Sequence, residues 1–137
     1  MRVLVLTGKN EPLIIQERPE LYPGEGEAII RIRAASLNHR DVWIQKGQYA
    51  GLKYPIVPGS DGSGVVVNDP SDTFTGKEVI INPAIHWGSS LSHQDPKDFR
   101  ILGLPDDGTF AEYVKVPVKN IVEKPAHLSF EEAAALP

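Results

Sequence analysis

The sequence predicts a mainly β fold, a compact barrel or sandwich carrying one or two short helices. Three observations lead there. Short β-prone runs recur at close spacing from Val3 to Val116, as in small all-β domains. Twelve prolines and twelve glycines punctuate the 137 residues, more than ordinary usage and a sign of many turns. Ahead of the C-terminal segment, only Asn38 to Gln45 departs from the strand pattern in favour of a helix.

In chain order, Val3 to Thr7 and Leu13 to Glu17 flank Gly8-Lys9-Asn10-Glu11-Pro12 and read as a hairpin. After the turn Gly24-Glu25-Gly26, the stretch Ala28 to Ala34 alternates. Ala28, Ile30, Ile32 and Ala34 face one side, with Arg31 and Arg33 opposite. Asn38 is suited to cap a short helix carrying Val42, Trp43 and Ile44, and Gly47 to end it. Residues 47 to 62 read as loop. Gly64 then opens the strand Val65-Val66-Val67, and Glu78 to Asn82 forms the next. Pro83 to Gly108 has little periodicity and reads as one long loop. Thr109 to Val116 returns to alternation, with Phe110, Val114 and Val116 on one side.

Composition excludes several function classes. The 14 basic and 18 acidic residues give a net charge of -4, and no basic stripe invites nucleic acid. The apolar run at the N-terminus is too short for a signal peptide or a membrane span. Without cysteine there is neither disulfide nor thiolate zinc site, which suits a cytoplasmic protein. At the other end, Ser129-Phe130-Glu131-Glu132 fits a capping box ahead of Ala133 to Leu136. The expectation is a domain over 1–127, with 128–137 launching a linker helix towards further chain.

Four stretches carry a family resemblance: Ala34 to Asp41, Pro55 to Val66, Gly108 to Pro117 and Leu128 to Pro137. In this order they resemble the medium-chain dehydrogenase/reductase superfamily, in its alcohol-dehydrogenase-like and quinone-oxidoreductase-like branches. The resemblance implies a GroES-like β-barrel, the catalytic half of an oxidoreductase whose Rossmann half lies outside this chain. It also implies NADP or NAD as cofactor of the full-length enzyme, with none bound by this stretch alone. Zinc-dependent members place cysteine where this chain has Asn38 and histidine where it has Ser60, with Asp61 at the acidic position that follows. Their four-cysteine zinc lobe falls in Pro83 to Gly108, which holds no cysteine. No zinc is therefore expected. The long loop is expected to have kept the lobe's length and lost its metal.

Asn38 is the first catalytic candidate, because the resemblance places it at the cleft, where its amide could orient a substrate carbonyl or touch the nicotinamide; a plain helix cap is the other reading, and the two can coexist. Asp41 either braces the junction through backbone hydrogen bonds or moves protons, and His39 is either a proton relay or a surface residue. Asp61, Tyr49 and Trp87 are candidates for the substrate pocket, with Asp61 also suited to bind Arg40 or nearby backbone. His86 and His93, near Asp95 and Asp98, match no regular metal-ligand spacing. Gly59 to Gly64 has neither P-loop lysine nor dinucleotide spacing, and a strand follows it. The expected activity is reduction of a quinone, enone or carbonyl compound by a complete enzyme. Expected partners are a small-molecule substrate, the Rossmann domain and a second copy of the chain, with neither nucleic acid nor membrane. The alternatives are a zinc-type alcohol dehydrogenase relative with altered ligands and a standalone GroES-like binding or scaffold module.

Overall fold

A curled sheet of five antiparallel strands organises the molecule. The computed structural model describes residues 1–137. In chain order it contains β1 (Arg2–Val5), β2 (Ile14–Glu17), β3 (Glu27–Ala35), α1 (His39–Gln45), β4 (Gly62–Asn68), β5 (Glu78–Ile81), β6 (Ala84–Ile85), β7 (Arg100–Leu102), β8 (Pro105–Asp106), β9 (Tyr113–Pro117), β10 (Ile121–Glu123) and α2 (Phe130–Ala134). The main sheet runs β10-β5-β4-β3-β9, beside the hairpin β1-β2 and a small sheet β6-β7-β8. The mainly β half-barrel matches the expected fold class.

β3 is long enough to pair along both edges, with β4 and with β9. Two register irregularities against β4, at Ile29/Ile30 and Ile32/Ala34, sharpen the curl. Gly64 is required where the two strands meet: a Cβ there would lie 2.2 Å from the Arg31 carbonyl oxygen. The enclosed face buries Ala28, Ile30, Val66, Val79, Ile81, Val114, Val116, Ile121 and Leu102 from β7. Each valine, leucine and isoleucine among them contributes roughly 1.5–3 kcal/mol by leaving water. A second cluster of Leu6, Ile44, Ile56 and Leu104 sits beneath α1. The bridges Leu6–Ile56 and Val3–Ala111 fasten the N-terminal hairpin to the rest.

The predicted hairpin, the strands at β3, β4 and β5, and both helices are present. Gly47, at φ +67°, follows the last turn of α1 as expected of a C-terminal glycine. At α2 the box is complete, with Glu132 N–H donating to Ser129 Oγ at 3.1 Å and Ser129 N–H to Glu132 Oε2 at 2.8 Å. This helix packs on β3, β4 and β5 and buries Ala133 and Ala134.

Two expectations are corrected. Pro83 to Gly108 is not one loop: it contains β6, β7 and β8, strands of two or three residues too short to show periodicity. β10 was also missed, for the same reason. The last long strand begins at Tyr113, not Thr109. Thr109 and Phe110 instead donate their N–H groups to the carbonyls of Gly59 and Pro58, so tertiary pairing replaces the strand ladder there.

Candidate active site

The candidate site forms where the end of β3 turns into α1 and meets the loop that enters β4. Asn38 is extended, at φ -117° and ψ 153°. Its backbone carbonyl accepts from Asp41 N–H at 3.0 Å. Asp41, buried in the first turn of α1, uses both carboxylate oxygens. Oδ2 accepts Asn38 N–H at 2.9 Å, and Oδ1 accepts Gly59 N–H at 3.2 Å. One carboxylate therefore holds the helix start against the loop.

The Asn38 side chain points elsewhere. Its Nδ2 donates to Asp61 Oδ2 at 2.8 Å, and Ser36 Oγ donates to the same oxygen at 3.4 Å. Asp61 is itself buried. Its carbonyl accepts Thr109 Oγ1–H at 2.9 Å and Ser36 N–H at 3.3 Å. Behind the pair the backbone is crowded. A Cβ on Gly108 would lie 2.0 Å from the Gly59 carbonyl oxygen, so two chain segments cross where only glycine fits.

The remaining candidates take separate places. The Asp61 carboxylate binds neither Arg40 nor nearby backbone, which corrects both alternatives expected of it. Arg40 instead reaches Ser60 Oγ at 2.9 Å, while Asn38 Nδ2 and Ser36 Oγ share Asp61 Oδ2. Tyr49 stacks on Arg40, its ring centroid 5.0 Å from the guanidinium carbon, and packs on the cluster beneath α1. His39 is exposed at the first position of α1. Trp87 lies on the lobe between β6 and β7, edge-on to Phe99 at 5.7 Å and donating to the Ser90 carbonyl at 2.8 Å. None of its contacts ties it to Asn38 or Asp61. His93 Nδ1 meets the hydroxyls of Ser90 and Ser92 at 2.9 and 3.1 Å. Among the residues that organise the site, sequence reasoning passed over Ser36, Thr109 and Gly108. Their signal is weak, since small polar residues and glycines near a turn are ordinary.

The donor set can be tested against a catalytic zinc of the kind found in the superfamily. Asn38 presents its amide nitrogen to Asp61. Ser60 Oγ donates to the Leu102 carbonyl at 2.8 Å and accepts from the Arg40 guanidinium, itself a cation. One carboxylate remains, that of Asp61, with its Oδ2 shared by Asn38 and Ser36. Zinc asks for three or four nitrogen, sulfur or carboxylate ligands. These residues do not fit it.

The alcohol dehydrogenase GroES-like domain family matches residues 24–126. This chain belongs to that family. The GroES-like domain is 38% identical over 134 residues to a zinc-type alcohol dehydrogenase-like protein of Schizosaccharomyces pombe, covering 89% of this chain and 38% of the relative. It is 29% identical over 147 residues to the acryloyl-coenzyme A reductase of Metallosphaera sedula, covering 100% of this chain and 44% of that protein. A solved NAD-dependent alcohol dehydrogenase superimposes with a TM-score of 0.89 at 41% identity, covering 100% of this chain and 43% of that one. This chain thus spans less than half the length of these relatives, which are oxidoreductases of the medium-chain superfamily. No helix in it is long and apolar enough to cross a membrane.

Proposed function

We propose that this domain is the substrate-side half of a zinc-independent, NADH- or NADPH-dependent oxidoreductase that reduces conjugated enones, quinones or related carbonyl compounds. The observation that carries the reading is the hydrogen bond from Asn38 Nδ2 to Asp61 Oδ2. A carboxylate only accepts, so the amide must turn its nitrogen towards it. That fixes the side chain and leaves the second N–H of Nδ2 for a substrate oxygen.

A reduced nicotinamide, when bound, supplies the hydride. As the β-carbon of an enone accepts it, the electron pair of the double bond moves towards the carbonyl oxygen. Asn38 donates its N–H to that oxygen, and a proton from water completes the α-carbon. An aimed donor of this kind is worth about 10²–10³ in rate. Asp61 holds the amide, and Asp41 holds the backbone that carries it. An enolate shares its charge between the oxygen and the α-carbon and needs less stabilisation than the alkoxide of a simple alcohol. That favours activated alkenes at a site without a metal. The relationship to an acryloyl-coenzyme A reductase supports the same substrate class.

We assign the nucleotide half of the cofactor to a separate Rossmann domain, since the relatives are more than twice as long and no G-x-G-x-x-G occurs here. A cytoplasmic location and self-association belong to the same proposal. The test is Asn38→Ala in the full-length protein, assayed with 2-cyclohexenone and either nicotinamide cofactor. We expect kcat to fall about 10²–10³-fold with the denaturation midpoint little changed. A wild-type protein that oxidises primary alcohols, ignores enones and carries stoichiometric zinc overturns the reading.

A further inference from the structure

Arg40 is a half-buried cation that takes part in none of the molecule's ion pairs. All three of its nitrogens donate into the fold instead. Nε meets the Tyr49 hydroxyl at 3.2 Å, Nη1 meets Ser60 Oγ at 2.9 Å and the Leu102 carbonyl at 3.2 Å, and Nη2 meets the Leu104 carbonyl at 2.7 Å. Ser60 Oγ closes the ring by donating to the same Leu102 carbonyl. These partners belong to three separate parts of the chain: the turn after α1, the loop entering β4, and the β7–β8 corner of the lobe. Only a planar fork of donors can serve such a set, and a lysine ammonium cannot.

The residue that follows Ser60 is Asp61, which holds the Asn38 amide. We infer that Arg40 is a positioning residue that sets the aim of Asn38 by locking the site loop to the lobe. The inference rests on the catalytic role proposed for Asn38. It gives the lobe a task without a metal: its β7–β8 corner supplies the carbonyl anchors for the clamp. When the clamp is lost, the loop and the lobe corner loosen together, and the Asn38–Asp61 pair loses its fixed position.

The experiment uses the full-length protein with Arg40→Met, Arg40→Lys and Arg40→Ala. Amide hydrogen exchange is followed in segments 58–64 and 100–106, alongside steady-state reduction of 2-cyclohexenone. Exchange is expected to speed up in both segments together by about tenfold, in the lysine variant as much as in the methionine one. The value of kcat is expected to fall at least about tenfold with KM within about threefold, because aim rather than binding is lost. Methylguanidinium in the buffer restores part of kcat to Arg40→Ala, which a role in folding alone would not allow. Ser60→Ala removes a single hydroxyl from the ring and gives the same paired rise at smaller amplitude, should the arginine variants not fold. Faster exchange in only one segment, or wild-type kcat in Arg40→Lys, overturns the inference. A wild-type protein that does not reduce the enone sinks the functional reading instead, and the exchange data then decide the clamp alone.

Discussion

The five-stranded sheet and the lobe from Pro83 to Gly108 keep their shapes by different means. In the sheet, order comes from apolar burial: Ile30, Val66, Val79 and Ile81 are essentially inaccessible to water. In the lobe, strands of two and three residues are supplemented by local polar contacts. Asp95 accepts the N–H groups of Lys97 and Asp98, Trp87 binds the Ser90 carbonyl, and Leu91 is fully exposed. The lobe enters the core mainly at Ile85 and at its far corner, Leu102 to Leu104, where Arg40 also holds it. Hydrophobic burial makes a region rigid by itself. A region held by polar contacts takes its order from what it leans on.

Three experiments would break or sharpen this contrast. The largest effect is expected from Ile30→Ala, which opens a cavity at the centre of the sheet. It should cost about 2–5 kcal/mol in urea denaturation of the full-length protein. A loss below about 1 kcal/mol would show that the sheet is not held by its core. Trp87→Ala comes next. Removing the edge-on contact with Phe99 should cost about 1 kcal/mol or less, with faster proteolysis confined to residues 88–98. If exchange in β3 and β4 rises as well, the lobe and the sheet form one cooperative unit.

The smallest effect is the response to acid. The Lys115 ammonium holds the Glu27 carboxyl below its usual range, and the Ser71 hydroxyl with nearby N–H groups does the same for Asp69. The N–H groups of Asp98 and Lys97 lower Asp95, while the N–H and guanidinium of Arg2 lower Glu112. Each folded value lies below its unfolded one. The stability they add is complete above the ordinary carboxylate range of about 3.9–4.3 and is lost as pH falls through the folded values. The denaturation midpoint should be flat from about pH 7 to 5 and decline below about pH 4. Asp95→Asn should leave that decline in place and change protection only in the lobe. A midpoint that rises on acidification would contradict the sign.

Legibility followed the same divide. β3 was readable because Ile30, Arg31, Ile32 and Arg33 alternate between the two faces, and its partners β4 and β5 because apolar runs there end at turn residues. β6, β7 and β8 offered too few residues for any period. Within the site, Asn38, Asp41 and Asp61 could be singled out from the junction and loop that carry them. The pairing of Asn38 with Asp61 could not, because 23 residues separate them and the Asp61 carboxylate had several neighbours to choose from. On charge alone Arg40 is one of the two partners the sequence offers that carboxylate, nearby backbone being the other. In the fold Asn38 and Ser36 hold the oxygen, and the guanidinium turns to uncharged partners.

By itself the sequence determined the strand-rich fold, the helix start at Asn38, the capped helix at Ser129 and the absence of any thiolate ligand. These depend on local propensity, spacing and side-chain chemistry, which a linear chain already contains. Tertiary structure alone decided which donor meets which acceptor, where Gly59 and Gly108 cross, and how the β7–β8 corner reaches Arg40. Those depend on distances between residues far apart in the chain, which exist only once the sheet has curled and brought them within a few ångströms.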